Sequence, residues 1–187
     1  MVSSSIDFSG LWTMPGVIAS MIGDDQGREI LDHWLEGSGT SMNIYKDSSW
    51  STYMRSNSTL TSQINAELEK DAINRETSGT LNPKNIDVII KNGYMIGYEY
   101  FHGTSGGLDI VGSVTATKRQ YSDYLYEVQL EYNVTLTWND IIDPNEAYER
   151  DRFLANGAEW FYNPKDYNIK ITWDDQFSFT RYIPIEE

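Results

Sequence analysis

Between Tyr124 and Trp138 the chain alternates without interruption. Tyr124, Tyr126, Val128, Leu130, Tyr132, Val134, Leu136 and Trp138 hold one parity, and Glu127, Gln129, Glu131, Asn133, Thr135 and Thr137 hold the other. A period of two over this length predicts one long strand with a single buried face. At about 3.3 Å per residue it would extend roughly 50 Å, so it must bend, twist or curl round a barrel. Upstream, Ile86 to Ile90, Tyr94 to Phe101 and Leu108 to Thr117 are rich in β-branched and aromatic residues and are separated by the turn sequences KNG and HGTSGG, which predicts a meander. Downstream, Tyr167 to Trp173 and Gln176 to Ile183 predict a closing hairpin around Asp174 and Asp175.

The helical period occurs in three places. Ile30, Leu31, Trp34 and Leu35 form one stripe in a helix over Arg28 to Glu36, stopped by Gly37 and Gly39. Leu60, Ile64 and Leu68 share a face in a helix from Asn57 or Ser58 to Ala72, capped by its polar start. Pro144 to Asn163 is helical in pattern, with Tyr148, Phe153, Leu154, Trp160 and Phe161 as apolar members and Gly157 as a break. A loop is expected through Asn82 and Pro83, and residues 1–26 carry no clear period, PGVIASMIG being either a short helix or a docked strand. Helices first and an antiparallel meander second make the class α+β, with N-terminal helices packed on a curled, half-barrel-like antiparallel sheet and a helix inserted before the last hairpin. Length agrees with one domain over residues 1–187.

Composition narrows the function. Fourteen Lys and Arg stand against 28 Asp and Glu, a formal net charge of −14. Nucleic-acid affinity comes mainly from cationic side chains displacing counterions, so a phosphate-backbone binder is disfavoured, as is an anionic membrane surface. The absence of cysteine excludes disulfides, thiolate metal sites and cysteine nucleophiles. No run approaches the roughly 18 apolar residues of a transmembrane span, and MVSSSIDFSG lacks the basic and apolar regions of a Sec signal peptide. No P-loop, dinucleotide fingerprint, G-x-S-x-G elbow or H-E-x-x-H motif is present.

The densest polar cluster, NDIIDPNEAYERDR from Asn139 to Arg152, follows the long strand, where a rigid element runs out into an accessible loop. Asp140 and Asp143 at i and i+3 could bind Mg²⁺ or Ca²⁺ through hard oxygens or divide into acid and base. An arginine beside them could hold a phosphate bidentately. These are parts of a phosphoester or pyrophosphate hydrolase. The competing reading is an ordinary D-P-N turn, an acidic first helical turn and solvated charge.

The HWLEGSG helix end (His33 to Gly39), the helix after it, the meander containing GLDIVGSVTAT (Gly107 to Thr117), the long strand and NDIIDPNEAYER together resemble the cytotoxic domain of colicin M and related bacteriocins. Those toxins show an H-Y-L-x-G-x-G helix end and a strand that exits into D-x-Y-D, with His-Arg shortly after. On that pattern Asp140 and Asp143 match the two aspartates and Arg150 matches the arginine, whereas Ile142 replaces the tyrosine and Glu149 the histidine. The resemblance spans roughly Leu31 to Arg152. It implies an antibacterial toxin, secreted or delivered to the periplasm of a target bacterium, that hydrolyses the lipid-linked peptidoglycan precursor lipid II at its diphosphate with a divalent cation, Mg²⁺ or Ca²⁺. A cognate immunity protein is the implied partner. Asp140 would be the principal catalytic carboxylate, Asp143 its partner or metal ligand, and Arg150 the stabiliser of phosphate charge. Glu149 could serve as base or ligand, yet it brings negative charge to a site for an anionic substrate.

Two histidines are available for the role Glu149 leaves open. His33 belongs to the helix end and suits a structural contact there, whereas His102 lies in the glycine-rich FHGTSGG turn. Of the aromatic clusters, Trp50 with Tyr53 and Trp160 with Phe161 and Tyr162 suit a core better than sugar-stacking surfaces, although a lipid-linked glycan would use the latter. Two other functions fit the composition. One is a non-catalytic acidic immunity or adaptor protein that masks a basic partner, and the other a cell-wall glycan hydrolase using the same carboxylates.

Overall fold

The computed structural model describes residues 24–90, 107–142 and 163–185. Helix α1 (Asp25–Leu35) buries the stripe of Ile30, Leu31, Trp34 and Leu35. It starts one turn earlier than the apolar pattern indicates because Asp24 caps it, its carboxylate accepting from the Gly27 amide at 2.7 Å. The expected glycine stop is present, with Gly37 and Gly39 at φ of +67° and +64°. Gly37 also lets the chain pass against the Asn163 carbonyl, where an added Cβ would sit 2.1 Å from the oxygen.

Strand β1 (Met42–Tyr45) and helix α2 (Ser48–Ser56) follow; neither has a sequence period long enough to announce it. Lys46, at φ +52°, turns the chain between them, and Asp47 caps α2 by accepting from the Ser49 and Trp50 amides. Asn57, fully buried, then ends α2 and begins α3 (Ser58–Ala72), its side-chain oxygen accepting from the Leu60 amide at 2.9 Å. Leu60, Ile64, Leu68 and Ala72 make the buried face of α3, within the boundaries the period predicts.

The remaining strands are β2 (Gly79–Ile86), β3 (Leu108–Gln120), β4 (Leu125–Ile142) and β5 (Tyr167–Pro184). Among the described residues they and β1 form one open five-stranded sheet in the order β1-β5-β4-β3-β2. All neighbours are antiparallel except β1, which lies parallel to β5 over Met42 to Tyr45. The class is therefore α+β, with one parallel edge on the expected antiparallel sheet.

Three expectations are corrected. The loop through Asn82 and Pro83 is strand β2, interrupted by a register shift between Leu81 and Lys84. A proline and an irregularity are tolerated because, among the described residues, β2 is an edge strand of the sheet. Of the expected strand Ile86 to Ile90, only Ile86 lies in β2. The closing hairpin is instead one continuous 18-residue strand, β5, paired with β4 along its whole length. Asp174 and Asp175 do not turn the chain, because each finds a partner on its own side of the sheet: Asp174 accepts from Thr135 at 2.7 Å and pairs with Lys46 at 2.7 Å, while Asp175 faces Arg55 at 3.7 Å. The expected strand Tyr94 to Phe101 lies outside the described residues, as does the expected helix from Pro144 except for its last residue.

The apolar parity of β4 faces the helices. Leu130, Tyr132, Val134, Leu136 and Trp138 join Leu108, Ile110, Ile169, Ile171 and Trp173 in one core with the stripes of α1 and α3. Two buried hydroxyls fasten the helices to this face. Tyr132 donates to Asp71 of α3 at 2.7 Å, and Tyr167 donates to the Ile30 carbonyl of α1 at 2.9 Å. Gly112 lets β3 lie close against β4; a Cβ there would come within 2.1 Å of the Asn133 carbonyl oxygen.

Candidate functional site

Asp140 is placed by the strand, not by a loop beyond it. Asn139 to Ile142 are the last residues of β4, and Asp140 pairs in register with Ile169 of β5. Because side chains alternate, Asp140 has the parity of Leu136, Trp138 and Ile142 and faces the interior with them. It is 7% exposed, between Trp138 and Ile142, which are fully buried. A carboxylate on an apolar parity is costly unless its oxygens are held by polar groups. One restraint is its own strand end, where Oδ1 accepts from the Ile141 amide at 2.8 Å.

Of the sequence-derived site residues, the described structure contains Asp140 alone. Asp143, Glu149 and Arg150 lie outside the described residues, as do His102 and the cluster of Trp160, Phe161 and Tyr162. Ile142, at the position of the family tyrosine, is a core residue opposite Tyr167. His33 takes the structural role expected of it, bonding through Nε2 to the Thr40 carbonyl at 2.8 Å and packing edge-on to Tyr167 at 4.5 Å. Trp50 and Tyr53 are likewise structural. Trp50 is 3% exposed and donates to Glu29, and Tyr53 donates to Asp24, which ties α2 to α1.

The polar face beside Asp140 carries a network that sequence reasoning did not find. Asp109 accepts from Asn85 at 2.7 Å on β2 and from Asn139 at 3.3 Å on β4, so one carboxylate joins the ends of three strands. Gly107, at φ +79°, makes room for it, since a Cβ there would overlap the Asn85 amide. Asn139 directly precedes Asp140, and so the network fixes the strand end from the opposite face. The signal was present only as scattered asparagines, which local spacing does not connect.

Among the described residues, no three His, Asp or Glu side chains converge as a metal centre. Asp140 is a hard oxygen donor of the type Mg²⁺ takes, and Mg²⁺ is often held by one or two carboxylates together with substrate phosphates and water. The donor chemistry of Asp140 fits that mode.

No family model and no curated protein matches the chain. Solved structures do. The chain is similar to a mutant of syringacin M from Pseudomonas syringae pv. tomato DC3000, with a TM-score of 0.51 and 12% identity over 84% of this chain and 52% of that one. The fold is that of the colicin M-like bacteriocins. Truncated bacteriocin syringacin M (TM-score 0.49, 13% identity, 82% of this chain and 59% of that one) and PaeM, a colicin M-like bacteriocin produced by Pseudomonas aeruginosa (0.41, 15%, 82% and 50%), also match. The chain thus spans a little over half the length of syringacin M. Within this colicin M-like fold, Asp140 closes the buried face of the 18-residue strand β4.

Proposed function

We propose that this chain is an antibacterial toxin domain that acts in the periplasm of a target bacterium and hydrolyses lipid II at its diphosphate linkage with a divalent cation. The observation that supports this reading most is the inward, nearly buried carboxylate of Asp140 at the end of a rigid 18-residue strand in a colicin M-like fold. A carboxylate held on a strand end is positioned with little freedom, which is what general-base or metal-ligand chemistry requires.

In this reading Asp140 is the principal catalytic carboxylate and, with Asp143, holds Mg²⁺ or Ca²⁺. The metal would polarise a phosphoryl oxygen and make bound water more acidic. Arg150 balances charge that develops on the phosphate. Glu149 acts as base in place of histidine. The backbone amide of Ile141 bonds the Asp140 carboxylate, and the Asn139–Asp109 bond on the other face of the sheet restrains the strand end that carries it. A cation between the carboxylates also reconciles a diphosphate substrate with a protein of net charge −14.

Export of the chain to the periplasm of a susceptible bacterium tests the proposal. Lysis is expected, with loss of lysis for Asp140→Asn at equal protein level; full toxicity of that variant would refute the enzymatic reading. The acidity itself favours a second reading, an immunity-like or adaptor protein. That one predicts harmless expression and a basic partner that co-purifies at low salt and is lost at high salt.

A further inference from the structure

Strand β5 leaves part of one edge open. Strand β4 pairs with it over its whole length, but on the other side β1 covers only Ile169 to Thr172. The hydrogen bonds show which residues face that outer edge. The Thr172 carbonyl accepts from the Lys46 amide at 2.8 Å and the Asp174 carbonyl from the Arg55 guanidinium, whereas the Ile185 amide donates to Tyr124 on the β4 side. The amide and carbonyl of one residue in a strand point the same way, so the even-numbered residues of β5 present theirs outward. At Gln176 the amide is taken by the Asp175 carboxylate at 2.9 Å. At Pro184 there is no N–H to present. Between these two positions the amides and carbonyls of Ser178, Thr180 and Tyr182 bond to no described residue.

Open edges are ordinarily guarded by charge, by proline or by a bulge, because a row of free amides and carbonyls templates another strand. Here the guards stop short. Lys46, Arg55, Asp174 and Asp175 crowd the edge as far as Gln176, and Pro184 closes it. From Phe177 to Ile183 there is no carboxylate, in a chain with 28 of them. The one cation, Arg181, is turned to Glu76 at 3.5 Å and to the Ile73 carbonyl. Phe177, Phe179 and Ile183 pack on the core only in part.

Which strand fits is set by where the edge is interrupted. Gln176 and Pro184 lie equally far from Thr180, so a second β5 related by a two-fold axis at Thr180 sets the occupied Gln176 amide opposite the proline. The two positions that cannot bond thus fall together. In the same register Thr180 faces Thr180 of the copy and Ser178 faces Tyr182, and every free amide meets a free carbonyl. On the helix face Phe179 meets Arg181 of the copy and Phe177 meets Ile183, a cation–aromatic and an apolar pair with no like charges directly opposed. We propose that β5 pairs with β5 of a second copy of this chain through Ser178 to Tyr182, joining the two sheets into one. The joint lies at the opposite end of β5 from Ile169, the neighbour of Asp140, and does not depend on the hydrolase reading.

A joint of this length is small against a standard protein interface, so the dimer is expected to be weak. Sedimentation velocity of the purified chain from about 1 μM to about 1 mM should show a reversible monomer–dimer equilibrium. Two chains of net charge −14 repel each other, so added salt should strengthen the association, the reverse of a dimer held by ion pairs. Thr180→Lys opposes two cations on the axis and should abolish the dimer, although it lowers the net charge that keeps the chains apart. The register is read with single thiols, on a chain that has no cysteine. Across the axis, Thr180 and its copy lie about 5.5 Å apart at Cα, within reach of a disulfide, whereas Ser178 and its copy lie about 14 Å apart. Thr180→Cys should therefore oxidise to a covalent dimer at least roughly tenfold faster than Ser178→Cys, with the thermal midpoints of the reduced variants unchanged. A monomer at every concentration, a dimer indifferent to Thr180→Lys, or equal cross-linking at the two positions would overturn the proposal.

Discussion

Asp140 and Tyr132 share one face of β4 and show two ways of burying a polar group. Tyr132 is fully buried, and its hydroxyl donates to Asp71, which Arg75 grips at 2.6 and 3.1 Å. The Arg75 guanidinium, and then the Tyr132 hydroxyl, hold the Asp71 carboxyl below its usual range, while burial and the nearby carboxylate push the Tyr132 phenol up. This triad anchors α3, and removing the hydroxyl should be costly because a bond to a charged acceptor is lost. Tyr132→Phe is expected to lower stability by about 2 kcal/mol in urea titration, with the fold retained. The pH dependence has a definite sign. A carboxyl whose folded value is depressed stabilises above its unfolded value of about 3.9 and loses that contribution as pH falls through the folded one. Thermal midpoints measured downward from about pH 4 should therefore fall less steeply in Asp71→Asn than in the parent chain.

Among the elements, the legible ones were those whose pattern is long and one-sided. Strand β4 and helix α3 follow their periods because one face must be buried, and α1 was visible from four apolar residues and its glycine stop. Strand β1 and helix α2 are set by Lys46, Asp47 and Asn57, single-residue turns and caps that periodicity does not register. Strand β5 was divided in two because a pair of aspartates resembles a turn; only the pairing with Thr135, Lys46 and Arg55 shows why both fit in a strand. The site was legible in one respect, that a carboxylate ends β4. That it faces inward follows from the same parity that predicts Leu136 and Trp138 in the core, once the strand is continued to Ile142. Two variants test the element boundaries. Asn57→Ala removes the α3 cap at a buried junction and should cost about 1 to 2 kcal/mol in denaturant titration. Gly112→Ala drives a methyl into the β4 backbone and should cost about 1 to 3 kcal/mol, with a matching loss of amide-exchange protection across β3 and β4.

At the scale of the whole molecule, the long strands of the sheet carry the candidate carboxylate at one end. There the strand end that carries Asp140 is restrained from the polar face by the bond between Asn139 and Asp109. A net charge of −14 repels an anionic substrate unless it is offset where that substrate binds. The fold is compatible with the toxin reading, and the decisive issue is chemistry at one carboxylate. The most direct measurement is release of the diphosphate-linked products from purified lipid II by the purified chain with Mg²⁺, compared with Asp140→Asn. Steady product release by the parent chain, reduced at least about a hundredfold in Asp140→Asn while the thermal midpoint is kept, is the predicted result. Equal product release by the two proteins, or none by the parent chain with either Mg²⁺ or Ca²⁺, would contradict it.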